Sequence, residues 1–229
     1  RFVRPDQALG EPMAVAAANW HALATFAGGY AARGTALLVD VGSTTADLIP
    51  ILDGEPWTEG RTDPDRMRAK ELVYTGFRRT PVCALLPPGE VAAELFATAL
   101  DAYLLLGHAP EAPADCDTAD GRPATRPCAH ARLSRMLGGD PETVPEDVTL
   151  RLAERVFDRQ RELLQAAAVG RQRVAIVSGS GEFLARLAIE PHRREFRDFI
   201  SLTDRLGPEL SACGPAYALA RLAEERGLP

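Results

Sequence analysis

Two stretches of the 229-residue sequence concentrate groups that bind anions and metals. In Leu38-Val39-Asp40-Val41-Gly42-Ser43-Thr44-Thr45-Ala46-Asp47, a short turn carries three hydroxyls between two aspartates. Such a turn aims several backbone N–H groups into one concavity, which suits an anion. Gly42 lets the backbone approach a phosphate, and Ser43, Thr44 and Thr45 add hydroxyl donors. Asp40 and Asp47 suit Mg²⁺, which takes carboxylates, waters and phosphate oxygens. A plain hairpin whose Ser and Thr residues make turns is the competing reading. The second stretch is Val177-Ser178-Gly179-Ser180-Gly181-Glu182-Phe183. An apolar strand there runs into a glycine loop and a helix start, an arrangement that favours an anion or a nucleotide. A tight strand-to-helix turn also wants glycine for its own sake.

Three further groups carry charge or a titratable ring. Asp115, Asp117, Asp120, Arg122 and Arg126 lie on a loop too long to be an idle connector. Arg78 and Arg79 follow Tyr74-Thr75-Gly76, where the pair either neutralises a diphosphate or decorates the surface. His21 sits beside Trp20 on an alanine-rich segment and reads as a core or interface histidine. Cys116, Cys128 and His130 are three irregularly spaced groups, which make a poor tetrahedral zinc site.

Composition narrows the chemistry. Lys plus Arg is 26 and Asp plus Glu is 32, a formal net charge of −6, which argues against a nucleic-acid partner held through its phosphates. Lys70 is the only lysine and stands in Ala-Lys-Glu. That excludes a Walker-type loop, which needs Gly-Lys-Ser/Thr, and any Schiff base not formed on Lys70. Cys83, Cys116, Cys128 and Cys213 form no CxxC pair, so the expectation is reduced thiols and a cytoplasmic protein. The longest apolar run, 91–106, is broken by Glu94 and Asp101, so no membrane partner is expected.

The elements that must position these groups follow from periodicity and turn residues. Residues 11–30 read as a helix. Residues 36–41 and 46–52 read as strands of a hairpin with a hydroxyl-rich tip, and Pro50 marks the second strand as an edge or a bulge. Residues 89–107, 132–137 and 146–169 read as helices, with the long loop at 109–127. Residues 173–177 read as a second buried strand, followed by a helix from Glu182, a short strand at 199–202 and a last helix at 214–226. The fold class is α/β. Residues 1–34 form a linking helical segment, 35–86 with 171–229 an α/β domain, and 87–170 a mostly helical insertion.

The two loops together resemble the second phosphate loop and the nucleoside-side loop of the actin-like ATPase superfamily, which includes sugar kinases and actin. Within it the chain is similar to the hydantoinase A/oxoprolinase-like family. That similarity rests on Asn19-Trp20-His21-Ala22-Leu23-Ala24, Asp40 to Asp47, Gly60-Arg61-Thr62-Asp63, Glu71-Leu72-Val73-Tyr74-Thr75-Gly76, Arg79-Thr80-Pro81-Val82-Cys83 and Asp117-Thr118-Ala119-Asp120-Gly121-Arg122-Pro123. The set looks like proteins linked to the tetrahydromethanopterin one-carbon pathway, whose archaeal relatives act in methanofuran biosynthesis. The resemblance implies an actin-like fold with a helical insertion. It also implies a transferase that joins a furan-methyl diphosphate to the amine of a glutamyl-tyramine and releases diphosphate.

By the same resemblance, Asp40 and Asp120 are the catalytic candidates. Gly42, Ser43, Thr44, Thr45, Arg79 and Arg122 would bind phosphate, Ser178, Gly179, Ser180 and Gly181 would form a nucleotide or substrate loop, and Asp40 and Asp47 would hold Mg²⁺. The implied partners are a phosphorylated small molecule and an amine, with a homo-oligomer left open. ATP is the less favoured ligand. The alternatives are an ATP-dependent kinase, an oxoprolinase- or hydantoinase-like amidohydrolase, and a non-catalytic partner in a one-carbon enzyme complex. The superfamily's first phosphate loop, of the Asp-Ile-Gly-Gly type, is not found in the chain. The analogy therefore implies that an N-terminal segment is missing and that the chain alone is inactive.

Overall fold

The computed structural model describes residues 3, 5–10, 12, 15, 18–168 and 172–227. Its helices are α1 (Pro5–Gly10), α2 (Asn19–Gly28), α3 (Asp63–Arg68), α4 (Val82–Leu85), α5 (Ala99–Leu106), α6 (Arg126–Met136), α7 (Glu146–Ala167), α8 (Glu182–Ile189), α9 (Leu202–Leu206), α10 (Pro208–Ala212) and α11 (Gly214–Glu225). Its strands are β1 (Thr35–Val41), β2 (Ala46–Leu52), β3 (Glu55–Pro56), β4 (Leu72–Val73), β5 (Val174–Ser178) and β6 (Asp198–Ser201). They fall into two compact units, one within 1–41, 46–73 and 167–229, the other comprising 42–45 and 74–166.

The first unit is a mixed sheet with helices on both faces. Its strand order is β3-β2-β1-β5-β6, and β4 also pairs with β2. β1 runs antiparallel to β2 and parallel to β5, which is parallel to β6. One face presents Ala36, Leu38, Ile49, Ile51 and Ile176 to Trp20, Leu23, Ala24 and Ala27 of α2 and Ala218 of α11. The alternate residues Leu37, Val39, Ala175 and Val177 are also buried, and α8 lies against β1 and β5 with Leu184, Ala185, Ala188 and Ile189 buried. Strands covered on both faces are apolar at every position, which explains the unbroken run at 36–39.

Pro50 sits where the sheet needs no donor. Leu48 N–H donates to Glu71 O at 2.9 Å, and Trp57 N–H donates to Pro50 O at 2.8 Å. The even-numbered residues of β2 thus turn their polar groups away from β1. β3 pairs only with residues 51–52 of β2 and β4 only with 46–47, so the proline nitrogen falls between them. β2 is therefore an inner strand with short neighbours rather than a bare edge.

The second unit is helical and includes the hairpin tip. The helix expected over 89–107 forms only as α5. Upstream, the backbone donors find tertiary partners instead: Ala92 N–H donates to Met136 O at 2.7 Å and Ala99 N–H to Thr80 O at 2.8 Å. The expected helix at 132–137 is the second half of α6, which begins inside the long loop. Of the helix expected over 11–30, α2 accounts for 19–28, and Glu11, Met13, Ala14, Ala16 and Ala17 lie outside the described residues, as does Val169 of the expected helix 146–169.

Candidate functional site

In the first unit, three polar side chains form a row across the sheet. Asp40 on β1 is in register with Asp47 on β2 and with Ser178 on β5. The row lies at the carboxyl ends of two parallel strands, where open α/β sheets bind ligands. Asp40 is 5% exposed, and Ser178 Oγ–H donates to its Oδ1. Burial pushes the Asp40 carboxyl up to about 7, against the Ser178 hydrogen bond, and the nearby Asp47 and Glu182 carboxylates add to the rise.

Asp47 is committed elsewhere. Arg66 Nη2 donates to its Oδ1 at 2.6 Å, while the same guanidinium lies 4.0 Å over the Trp20 ring and is 1% exposed. Burial lifts the Asp47 carboxyl above its ordinary value despite the pull of Arg66. The two aspartates are thus unlike. Among the described residues, Asp40 has no cation as a hydrogen-bond partner, whereas Asp47 already has one. Among the described residues, no group of three or more His, Cys, Asp or Glu side chains is placed to hold a metal. One carboxylate with ligand oxygens is nevertheless a common arrangement for Mg²⁺, and Asp40 fits it where Asp47 does not.

The glycine loop is fitted to the end of β1. Gly179 has φ +94°, and a Cβ there would stand 2.3 Å from Val41 O and 2.8 Å from Asp40 Oδ1. Gly181 N–H donates to Val41 O at 2.9 Å, and Gly179 N–H donates to Ser211 Oγ at 3.2 Å. Gly179 therefore has a packing reason, and the Gly181 amide fixes the loop backbone beside the end of β1. The helix behind it is anchored by Glu182, which accepts from Ser201 Oγ at 2.6 Å and from Thr203 N–H at 3.0 Å.

In the second unit the tip 42–45 is carried by the loop after Tyr74. Phe77 N–H donates to Gly42 O at 2.9 Å, and the Arg78 and Arg79 amides donate to Ser43 O at 3.0 and 2.8 Å. A Cβ on Gly76 would lie 2.6 Å from Thr44 backbone atoms, whereas one on Gly42 would meet Thr45 O at an ordinary 3.5 Å. The close approach thus requires glycine at 76 more than at 42. Ser43 and Thr44 hydroxyls lie 3.4 Å apart, and the Arg79 side chain is 62% exposed with one 3.4 Å contact to Asp117.

Arg78 has a different role from Arg79. Its two terminal nitrogens donate to the Asp115 carboxylate at 2.7 and 2.8 Å, and Nη2 also donates to Asp117 O at 2.6 Å. It ties the long loop to the tip-bearing loop. Asp120 is surrounded by cations: Arg122 Nε at 2.7 Å, Arg132 Nη1 at 3.0 Å and Arg135 Nη1 at 3.7 Å. Burial would raise its carboxyl, but the Arg122 and Arg132 hydrogen bonds outweigh it and hold the group below the ordinary range. A carboxylate so stabilised is a weak proton acceptor, and its geometry is that of an anchor for the loop. Arg122 is bound to Asp120 through Nε, and its Nη2 finds no hydrogen-bond partner among the described residues.

Three residues that shape these sites were not singled out by sequence reasoning. Arg66 and Ser211 carry no local signal, because only the fold brings them to Asp47 and Gly179. Gln160 does carry one. It follows Leu152 and Val156 at four-residue intervals and precedes Leu164, so a polar amide interrupts the buried stripe of α7.

A profile of the hydantoinase/oxoprolinase family matches residues 1–226. A protein of Methanocaldococcus jannaschii is 31% identical over 237 residues, covering 98% of this chain and 70% of its own length. One of Methanococcus vannielii is 30% identical over 201 residues, covering 81% of this chain and 89% of its own length. Both are named (4-{4-[2-(gamma-L-glutamylamino)ethyl]phenoxymethyl}furan-2-yl)methanamine synthase.

Proposed function

As the chain belongs to the hydantoinase/oxoprolinase family, we propose that it is a synthase that condenses a furan-methyl diphosphate with its acceptor in the making of a methanofuran-type cofactor. The compound in the relatives' name holds its two halves together through a phenoxymethyl ether and carries a free methanamine on the furan. The bond formed in that compound joins a phenolic oxygen to a furan-bound methylene. The amino group is carried by the furan partner, so the acceptor is the phenol of the glutamyl-tyramine and not the amine that the resemblance implied.

The reaction breaks the bond between the methylene carbon and diphosphate, and the diphosphate leaves with the electron pair. The furan ring stabilises the positive charge on the methylene, the phenolic oxygen donates its lone pair to that carbon, and its proton is lost. The protein's task is to hold the leaving group and exclude water. The observation that carries this reading is the Arg79 amide bound to Ser43 O. It fixes an exposed arginine at the foot of a hydroxyl-bearing turn, a donor set suited to a diphosphate. Within the first unit, Asp40 is the residue we assign to Mg²⁺.

The mixed sheet, with an antiparallel hairpin beside two parallel strands and a glycine loop, supports an actin-like reading of the first unit. ATP is less favoured, because Gly179 is accounted for by its fit to the end of β1 rather than by a nucleotide. The test is to supply furan-methyl diphosphate and gamma-glutamyl-tyramine with Mg²⁺. Diphosphate release in equal amount to ether product is expected. ATP turnover, or amide hydrolysis without condensation, overturns the reading.

A further inference from the structure

We propose that Gln160 and Tyr103, deep in the helical unit, are positioning residues for the diphosphate-binding tip, a role that rests on the function proposed above. Both are 0% exposed. Gln160 Nε2 donates to Thr75 Oγ1 at 2.6 Å and to Gly76 O at 2.9 Å, and Tyr103 Oη–H donates to Gln160 Oε1. The orientation of the amide is fixed by chemistry. Gly76 O can only accept, so the NH₂ faces it, and Oε1 is left to face the tyrosine hydroxyl, which must then donate. Burial pushes the Tyr103 hydroxyl far above its ordinary value, so it remains a donor. On the other side of the same segment, Thr80 Oγ1 accepts from Gly76 N–H at 2.8 Å.

Gly76 is thus held through both its carbonyl and its amide. The tip rests directly on this clamp. Thr44 backbone packs where a Gly76 side chain would be, and the next three amides, Phe77, Arg78 and Arg79, hold Gly42 O and Ser43 O. Phe77 is also stacked on Tyr103, with ring centroids 5.5 Å apart and planes within 4°. Tyr103 therefore reaches the loop twice, by its ring through Phe77 and by its hydroxyl through Gln160. A helical core held by apolar packing alone would need none of these polar groups. Their cost in desolvation is offset only because every one is paired, which makes the arrangement geometrically exacting. The consequence is that the tip's two carbonyls, and with them the backbone that carries Ser43, Thr44 and Arg79, are held in one place.

The test compares Tyr103→Phe and Gln160→Met with Thr149→Val. Thr149 is also fully buried in this unit, and its hydroxyl hydrogen-bonds to His130 rather than to the loop. Amide hydrogen exchange at Phe77, Arg78 and Arg79 is measured in each full chain, together with calorimetric binding of inorganic diphosphate plus Mg²⁺ and the KM of each substrate. Exchange at these three amides is expected to speed up at least about tenfold in the first two variants, the equivalent of one decade in the opening equilibrium. The KM for the furan-methyl diphosphate is expected to rise by a similar factor, with the KM of the phenol unchanged. Thr149→Val is expected to lower thermal stability and move neither. Unchanged exchange in folded Tyr103→Phe overturns the positioning role. If the unaltered chain binds no diphosphate while the exchange pattern holds, it is the proposed function that fails. Should Gln160→Met not fold, Tyr103→Phe, which removes one oxygen atom, decides alone.

Discussion

Asp40 on β1 and Ser178 on β5 face each other across neighbouring parallel strands, and the serine hydroxyl donates to Asp40 Oδ1. The pair joins the two stretches that drew attention in the sequence, and it does so at the carboxyl ends of both strands. Its aspartate is the more basic of the two that flank the tip in sequence, because burial is opposed there only by a neutral hydroxyl.

Asp40→Asn should therefore change stability in a pH-dependent way. The carboxyl is raised to about 7 in the folded protein, so the fold favours its protonated form. That contribution is fully present below about pH 4, the unfolded value, and is lost as pH rises through about 7. Asparagine cannot ionise. In metal-free buffer the melting temperature of the variant should gain on that of the unaltered chain between pH 5 and pH 8. If Asp40 holds Mg²⁺ as proposed, condensation activity should fall at least about a hundredfold with the loss of that charge. A pH-independent difference in melting temperature would show that Asp40 is ionised throughout.

Gly179→Ala combines a backbone at φ +94° with a Cβ 2.3 Å from Val41 O. Strain of this kind costs about 1–3 kcal/mol, and the backbone clash adds to it. Urea unfolding should show a loss of at least about 2 kcal/mol. A loss below a few tenths would mean that the loop can lift off β1.

Gly76→Ala and Gly42→Ala should separate clearly. The first puts a methyl group 2.6 Å from Thr44 backbone, the second makes an ordinary 3.5 Å contact. Diphosphate binding by calorimetry should be severely weakened in the first and changed by less than about threefold in the second, under 1 kcal/mol. Equal effects would shift the critical close approach from Gly76 to Gly42.

Arg132→Met should be among the most damaging single changes in the helical unit. Arg132 Nε donates to Asp101 Oδ1 at 2.7 Å with side chains 0% and 1% exposed. Removing the guanidinium leaves a buried carboxylate without its partner, at about 3–5 kcal/mol. The double variant with Asp101→Asn should recover part of that loss in urea unfolding, and additive losses would show the pair to be uncoupled.

Arg79→Ala should weaken diphosphate binding about tenfold and shift the melting temperature by no more than about 1 °C, because its side chain is 62% exposed and makes one long contact. Arg122→Ala should instead lower stability as well, since it removes one of the cations hydrogen-bonded to the Asp120 carboxylate. Binding unaffected by Arg79→Ala would remove that residue from the anion site.

The sequence alone determined the parts of this protein whose signal is local. The apolar runs at 36–41 and 173–177 read as buried strands and form as β1 and β5, the hydroxyl-rich turn between Asp40 and Asp47 reads as a tip and links β1 to β2, and Gly179-Ser180-Gly181 reads as a strand-to-helix loop and joins β5 to α8. Each follows from side-chain period or turn stereochemistry over fewer than about ten residues. The helix expected from residue 89 shows the limit. Its apolar spacing was helical, but Ala92 and Ala99 donate to distant carbonyls, and such long-range hydrogen bonds leave no local trace.

Only the tertiary structure decided which polar groups are free and which are taken. Asp40 and Asp47 look equivalent in sequence, yet Arg66, nineteen residues beyond Asp47, neutralises one and not the other. Asp120 looks like a base until Arg122 and Arg132 are placed around it. Gly42 looks like the glycine the tip needs, yet the crowding is at Gly76. The physical reason is the same in each case. The charge state and reach of a side chain are set by partners within about 4 Å, and chain folding brings those partners from anywhere in the sequence.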